Sequence, residues 1–365
     1  MRQISIILLA LPLILYSQTA DPGSGSPMMV IEMKPGDTHL DRKEGTGEGR
    51  LGCWMRLDAA SVSTRYRHVE NFLGITTASN QQYQLAIRGS VCLDPHERIT
   101  VHAGLFTGNN FTGGWNNAGP GTAVAQSNLY LKQLFLEVKP ADGIEVQYGG
   151  IEFARGESSE ITSYDYDGYL VGGRILIRRP KATFFDDVAV TYGNIGDLGR
   201  PNVFRRLKRL GRSNYHQFLA AKRVGPRLRL SADYTSDSGA DTLRQAITIH
   251  IPEIRVADSL HFEQYERPGR QAGYGFSAYG ERKLARRFSL GGGYAQLDRL
   301  GLYSDRFNVG RRLFWNSHIA LGPEWSVMAL ATYAIAGSPG TAPRTRFDLI
   351  VGYNLLHRLR SAGLF

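Results

Sequence analysis

From about residue 50 onward, apolar and polar positions alternate nearly one for one. The stretch GPRLRLSADYTSD, Gly225 to Asp237, shows the rule. A helix would smear its leucines and arginines around the cylinder, because neighbours one apart point about 100° away from each other. A strand sorts them. Leu228, Leu230, Ala232 and Tyr234 take one face; Arg227, Arg229, Ser231 and Asp233 take the other. The same period predicts sixteen strands, near 52–67, 81–93, 98–107, 128–139, 143–154, 166–178, 186–193, 213–224, 226–236, 241–252, 256–266, 271–283, 286–297, 305–320, 323–335 and 344–357. A miscount would give 14 or 18. No long helical pattern interrupts them.

The connections sort as well. Tight links fall at DPHE (94–97), PADG (140–143), VGPR (224–227), KLARR (283–287) and ALGP (320–323). Every second connection is of another kind, including 71–80, 107–126 and the basic stretch 193–212. An up-and-down meander with short turns at one end and longer loops at the other is the arrangement of a transmembrane antiparallel β-barrel. Apolar rows agree: Tyr83, Leu85, Ile87 and Val91; Ile99, Val101 and Leu105; Val171, Ile175 and Ile177; Ile247, Ile249 and Ile251; Phe347, Leu349, Val351, Tyr353 and Leu355. Lys132 and Arg311 sit awkwardly on outward faces. Trp315, Trp325, Tyr66, Tyr130 and Tyr274 stand near strand ends, where an aromatic girdle belongs.

The chain opens with Arg2, an apolar run from Ile4 to about Tyr16, and small residues at Ser17 and Ala20, which reads as a secretory signal peptide over 1–20. Residues 21–50, rich in Gly, Pro and charge, read as a flexible periplasmic leader, and 51–365 as the barrel. These features place the protein in a bacterial outer membrane. Its partners there are membrane lipid, lipopolysaccharide and, given the terminal Phe365, the barrel assembly machinery. Two cysteines exclude a disulfide scaffold. A net charge of +10 favours anionic partners, and export argues against nucleic acid. The oligomeric state is not legible.

The order WMRLDAASVSTRYRHVEN, SVCLDPHERITVHAGLF, LYLKQLFLEVKPADGIEVQYGGIEFARGE, DYDGYLVGGRILI, over roughly residues 50–180, resembles porin-type barrels of the alginate-export class. Lys139-Pro140, Asp142-Gly143 and Arg174 fit that family's pattern. Where the family has glycine-arginine-glutamine, this chain reads Gly149-Gly150-Ile151. The resemblance implies an outer-membrane channel for anionic or sugar-like solutes.

Strand parity puts Arg65, Arg67, Arg88, Arg174, Arg178, Arg227, Arg229, Arg244, Arg287, Arg306, Arg312 and Arg346 on the lumen face, against fewer acids such as Glu137, Glu145, Asp233, Glu263 and Asp348. An arginine facing lipid at mid-bilayer costs about 2–4 kcal/mol; facing inward it meets water and carboxylates. The excess of base favours anions, while the alternative use of these arginines is a salt-bridge mesh that stiffens the wall. A mouth loop carries Arg205, Arg206, Lys208 and Arg209, with Val203, Phe204, Leu207 and Leu210 at near-helical spacing. Folded inward it would form a positive funnel; lying outward it would meet lipopolysaccharide phosphates. Cys53 and Cys92 fall at one rim of the first hairpin, where an export compartment permits a disulfide, and a bulge is needed near Ala59–Ala60.

No catalytic, metal or cofactor set stands out, and no cofactor is expected. The nine histidines are scattered. Ser213 and His216 lie close without an evident acid, and GYGFSAYG (273–280) lacks the helix that a phosphate loop requires. The leading expectation is a passive channel rather than an enzyme; a barrel with a plugged lumen, acting as an enzyme or an adhesion or structural protein, is the alternative.

Overall fold

A computed structural model of the protein describes residues 54–363 except 112, 122, 158–168, 179–183, 197–198, 252–255, 269–271, 299–308 and 338–343. The expected signal peptide and leader, Cys53, Arg306 and Phe365 lie outside the described residues.

The chain forms a closed antiparallel barrel. Sixteen strands make the wall: β1 (Arg56–Asn71), β2 (Thr76–Cys92), β3 (Ile99–Thr107), β5 (Leu129–Ala141), β6 (Ile144–Glu152), β7 (Tyr169–Ile177), β8 (Asp187–Asn194), β9 (Tyr215–Val224), β10 (Leu228–Asp237), β11 (Ala240–His250), β12 (Ser259–Arg267), β13 (Gly273–Ala285), β14 (Phe288–Leu297), β15 (Gly310–Ala320), β16 (Trp325–Ala336) and β17 (Arg344–Asn354). Each pairs with its neighbour in sequence. β1 then pairs with β17 from Ser61↔Asn354 to Asn71↔Arg344, which removes both edges. The additional short strand β4 (Asn116–Gly121) belongs to the connection after β3. It folds back on the upper part of β2, while β3 pairs directly with β5.

Parity follows the sequence. Val62, Tyr66, Leu105, Leu136, Val190, Phe218, Phe262, Leu313 and Phe347 are exposed on the outer surface, whereas their neighbours Ser63, Arg65, Gln217, Glu263, Arg312 and Asp348 are buried on the inner one. Bulges resolve the awkward positions. The register slips between Leu57 and Ala59, close to where a bulge was expected. It slips again opposite Gly104 and Leu105, and Lys132 is the residue skipped. The slip turns Lys132 inward, where it is fully buried. Arg311 keeps its outward parity, exposed at the loop-bearing end of β15.

Three expectations need correction. β1 and β2 run on to Asn71 and from Thr76, so their link is only 72–75, because period two continues through a polar stretch that the apolar pattern does not mark. The last strand stops at Asn354, whose side-chain oxygen accepts from His357 N at 3.1 Å and caps a helix, α2 (Leu355–Ser361); Leu355 therefore does not share the face of Phe347. The connection over 107–126 contains β4 rather than only loop.

Candidate functional site

Most of the inward arginines are anchored to the wall. Arg244 holds Asp233 through Nε at 2.9 Å and Nη2 at 2.8 Å, and Thr235 Oγ1 at 2.8 Å. Arg88 pairs with Glu152 at 2.7 Å, and Arg178 with Glu145 at 2.8 Å. Arg174 donates to Thr191 Oγ1 at 3.0 Å and to the carbonyl of Glu152. Arg312 is buried and donates to the carbonyl of Val309 at 3.1 Å. Arg229 shares the inward parity of Asp233. Arg227 and Arg287 are not wall residues; they lie exposed in the turns just before β10 and β14, at the rim that carries the short turns. A strand boundary displaced by two residues accounts for both. A mesh of paired arginines is thus a large part of what the alternating pattern encodes.

One cluster gathers three arginines. Asp348, fully buried, receives Arg67 Nε at 3.0 Å and the guanidinium of Arg346, with Arg65 Nη1 at 3.7 Å. The three guanidiniums share this carboxylate on a patch of β1 and β17. Arg65 also lies under the ring of Trp115, 4.1 Å from its centroid, and donates to Gln82 Oε1 at 2.9 Å.

Trp115 belongs to one of three segments that turn inward. The connection after β3 is pinned by Lys132, whose Nζ donates to the carbonyls of Asn110 (2.8 Å) and Gly113 (2.5 Å). The second segment, 153–157 after β6, reaches across to β9 and β10. Gln217 Nε2 donates to the carbonyl of Ala154 at 2.9 Å, and Glu157 N donates to Ser231 Oγ at 2.8 Å. The close approach at Gly156, where a Cβ would lie 2.5 Å from Ser231 Cβ, requires glycine.

The third segment is the basic mouth loop. Asn202 Oδ1 accepts from Phe204 N at 2.9 Å and caps a short helix, α1 (Val203–Leu207). The helix packs on β5, β6 and β7, with Val203 and Arg206 buried and Phe204, Arg205, Lys208 and Arg209 exposed. Gly150 makes room for it: a Cβ there would come within 2.3 Å of Val203 Cγ2.

Other candidate chemistry is thin. Ser213 Oγ lies 2.9 Å from His216 Nε2, but it also bonds the carbonyls of Gly193 and Tyr215, and among the described residues no carboxylate pairs with that ring. His261 is held between Thr248 Oγ1 and Ser259 Oγ and stacks on Tyr279 at 4.4 Å. Cys92 is buried on the inner face at the end of β2; its expected partner Cys53 is outside the described residues.

Solved structures provide the comparison. A variant of the Rhodopseudomonas blastica porin superposes with a TM-score of 0.56 at 12% identity, over 82% of this chain and 99% of that one. The barrel has the porin fold. Salmonella typhi OmpF, solved with daunomycin, matches with a TM-score of 0.54 at 11% identity, over 82% of this chain and 97% of its own. No protein-family model matches the sequence, and no curated protein matches it. In this porin-fold barrel the segment 153–157 follows the fifth wall strand and the basic loop follows the seventh.

Proposed function

We propose that the protein is an outer-membrane channel for the passive passage of small anionic or sugar-like solutes, and not an enzyme. The observation that carries this reading is the porin fold with arginines gathered on its inner wall, Arg65, Arg67 and Arg346 around Asp348 among them. Fixed positive groups inside low-dielectric walls raise the local anion concentration and lower the barrier to anion entry. The porin fold and the resemblance of residues 50–180 to the alginate-export class support the same solute class. Outward apolar rows suit lipid, and the exposed Arg311 at the loop-bearing rim suits lipopolysaccharide phosphates.

The three inward segments favour a second reading, in which they plug the lumen and the barrel serves as a scaffold, an adhesin or an enzyme. Planar-bilayer recording separates the two. The channel reading expects stable conductance steps and a reversal potential in a potassium chloride gradient that favours chloride. Silent membranes would support the plug, and a potassium-favouring potential would remove the anion preference.

A further inference from the structure

Between the end of β8 and α1 lies a shallow cleft, open to solvent and lined among the described residues by Asn194, Gly196, Arg200, Arg205, Arg206 and Arg209. Four of these six described lining residues are arginines, and none of the six is acidic. Guanidiniums gathered around one space repel each other, so the fold must hold them there. Arg206 is buried, with its guanidinium 3.6 Å from the centroid of the Phe111 ring, and it donates to the carbonyl of Arg200 at 3.5 Å. Gly196 adopts a φ of +59°, and a Cβ there would lie 2.8 Å from both Arg209 Nη1 and Asn194 Oδ1. The backbone at Gly196 is therefore left bare where Arg209 reaches in. Arg205 and Arg209 are exposed beside the opening.

We propose that this cleft is a binding site for a tetrahedral oxyanion, the phosphate end of a small solute being its occupant class. Forked N–H donors from several guanidiniums match phosphate oxygens in pairs, which a diffuse positive surface does not. A buried Arg206 supplies a donor already fixed in place, so less rotamer freedom is lost on binding than at exposed lysines. The site deepens the anion-channel reading and rests on it for its role in transport. It differs from a general preference for anions in being saturable and in discriminating phosphate from chloride. The same phosphate chemistry could come from lipopolysaccharide, and Asp197, next to Gly196 in the sequence, lies outside the described residues; both enter the test.

The native protein is purified free of lipopolysaccharide, and binding of radiolabelled inorganic phosphate is measured by equilibrium dialysis in detergent, where conduction is irrelevant. Saturable binding is expected. The exposed pair Arg205→Gln/Arg209→Gln, which leaves the packing of Val203 and Arg206 intact, should weaken it at least tenfold, and Asp197→Asn should bind as well as the native chain or better. In bilayers without lipopolysaccharide, phosphate should reduce the chloride current of the native protein saturably, with the half-effect concentration raised at least tenfold in the pair. If lipopolysaccharide added to the loop side abolishes phosphate sensitivity, lipid phosphates occupy the cleft; if it has no effect, the free solute does. Either outcome supports the site. No saturable binding in detergent, or equal binding by the Arg205→Gln/Arg209→Gln variant, overturns it while leaving a chloride-favouring reversal potential intact. A potassium-favouring potential with normal phosphate binding overturns the channel reading alone.

Discussion

The guanidinium of Arg206 lies over the ring of Phe111, 3.6 Å from its centroid, and so joins the segment after β3 to the helix after β8. Phe111 is fully buried and packs against Tyr169 at 5.6 Å, with Leu207 and Leu210 alongside. Removing the ring deletes both the cation–π contact, worth about 0.5–2 kcal/mol, and the floor beneath the helix. Phe111→Ala should therefore release the 203–210 segment locally. Trypsin cleavage after Arg205 or Arg209 is expected to accelerate about tenfold or more, as a loss near 1.4 kcal/mol implies when opening is fast relative to cleavage. Unchanged cleavage would show that the ring does not hold the helix down.

The seat of α1 on β6 gives a reciprocal prediction. Gly150→Ala should crowd Val203 Cγ2, which a new Cβ would meet at 2.3 Å, and loosen the helix. Trimming the other partner should relieve it, so Gly150→Ala/Val203→Ala is expected to resist trypsin better than Gly150→Ala alone. A coupling of about 0.5–3 kcal/mol is usual for residues in contact. Simple additivity in this cycle would mean that the two do not touch.

Asp348 holds Arg65, Arg67 and Arg346 together. Asp348→Asn removes the carboxylate that they share. Breaking a buried pair on one side costs about 3–5 kcal/mol, so the heat-denaturation midpoint of the folded barrel in detergent should fall clearly. In bilayers the same variant should shift the reversal potential further toward chloride, most at low salt where screening is weak. A stable variant with native selectivity would place the cluster outside the ion path.

Depth in the membrane is testable on one strand. Leu129 and Leu136 are both exposed on the outside of β5, one at its loop-bearing end and the other near its middle. Leu136→Arg should destabilise the barrel in lipid by about 2–4 kcal/mol and Leu129→Arg by no more than about 1 kcal/mol. Equal costs in urea titrations from liposomes would contradict a lipid belt around the centre of the strand.

The turn between β2 and β3 carries a pH prediction. Desolvation pushes the Asp94 carboxyl upward, but hydrogen bonds from the backbone N–H groups of Ile99 and His96 outweigh it and hold the group below its usual range. A depressed value means that the contribution is complete above the ordinary carboxylate range and disappears as pH falls through the lower folded value. Amide exchange at Ile99 should therefore stay slow from neutral pH down to about 4, once corrected for intrinsic rates. Asp94→Ala should be fast throughout.

The wall was legible because a strand repeats every two residues, and on the outer face of the barrel every second residue is largely apolar. That is why the row Tyr83, Leu85, Ile87, Val91 was readable without neighbours. What escaped depends on partners distant in sequence. Lys132 looked misplaced because the slip that turns it inward is set by pairing with β3. Whether Arg244 is open or spent on Asp233 depends on the register of β10 against β11, which alternation cannot fix. Arg227 and Arg287 were assigned to the wall because a turn residue next to a strand carries the same parity as the strand. The amphipathic spacing of Val203, Leu207 and Leu210 was visible, whereas its seat was not: only the fold brings Gly150 beneath it.

Arg67 and Asp348, 281 positions apart in the chain, face each other across the seam of β1 and β17. A strand that must wait for a mate at the far end of the polypeptide keeps its hydrogen-bonding edge bare through the whole of synthesis. Until β17 is made, the chain is a sticky, unfinished sheet exposed to aggregation. A nascent chain interrupted anywhere before Arg344 has no last strand with which to close, and should be a substrate for proteolysis rather than a smaller barrel.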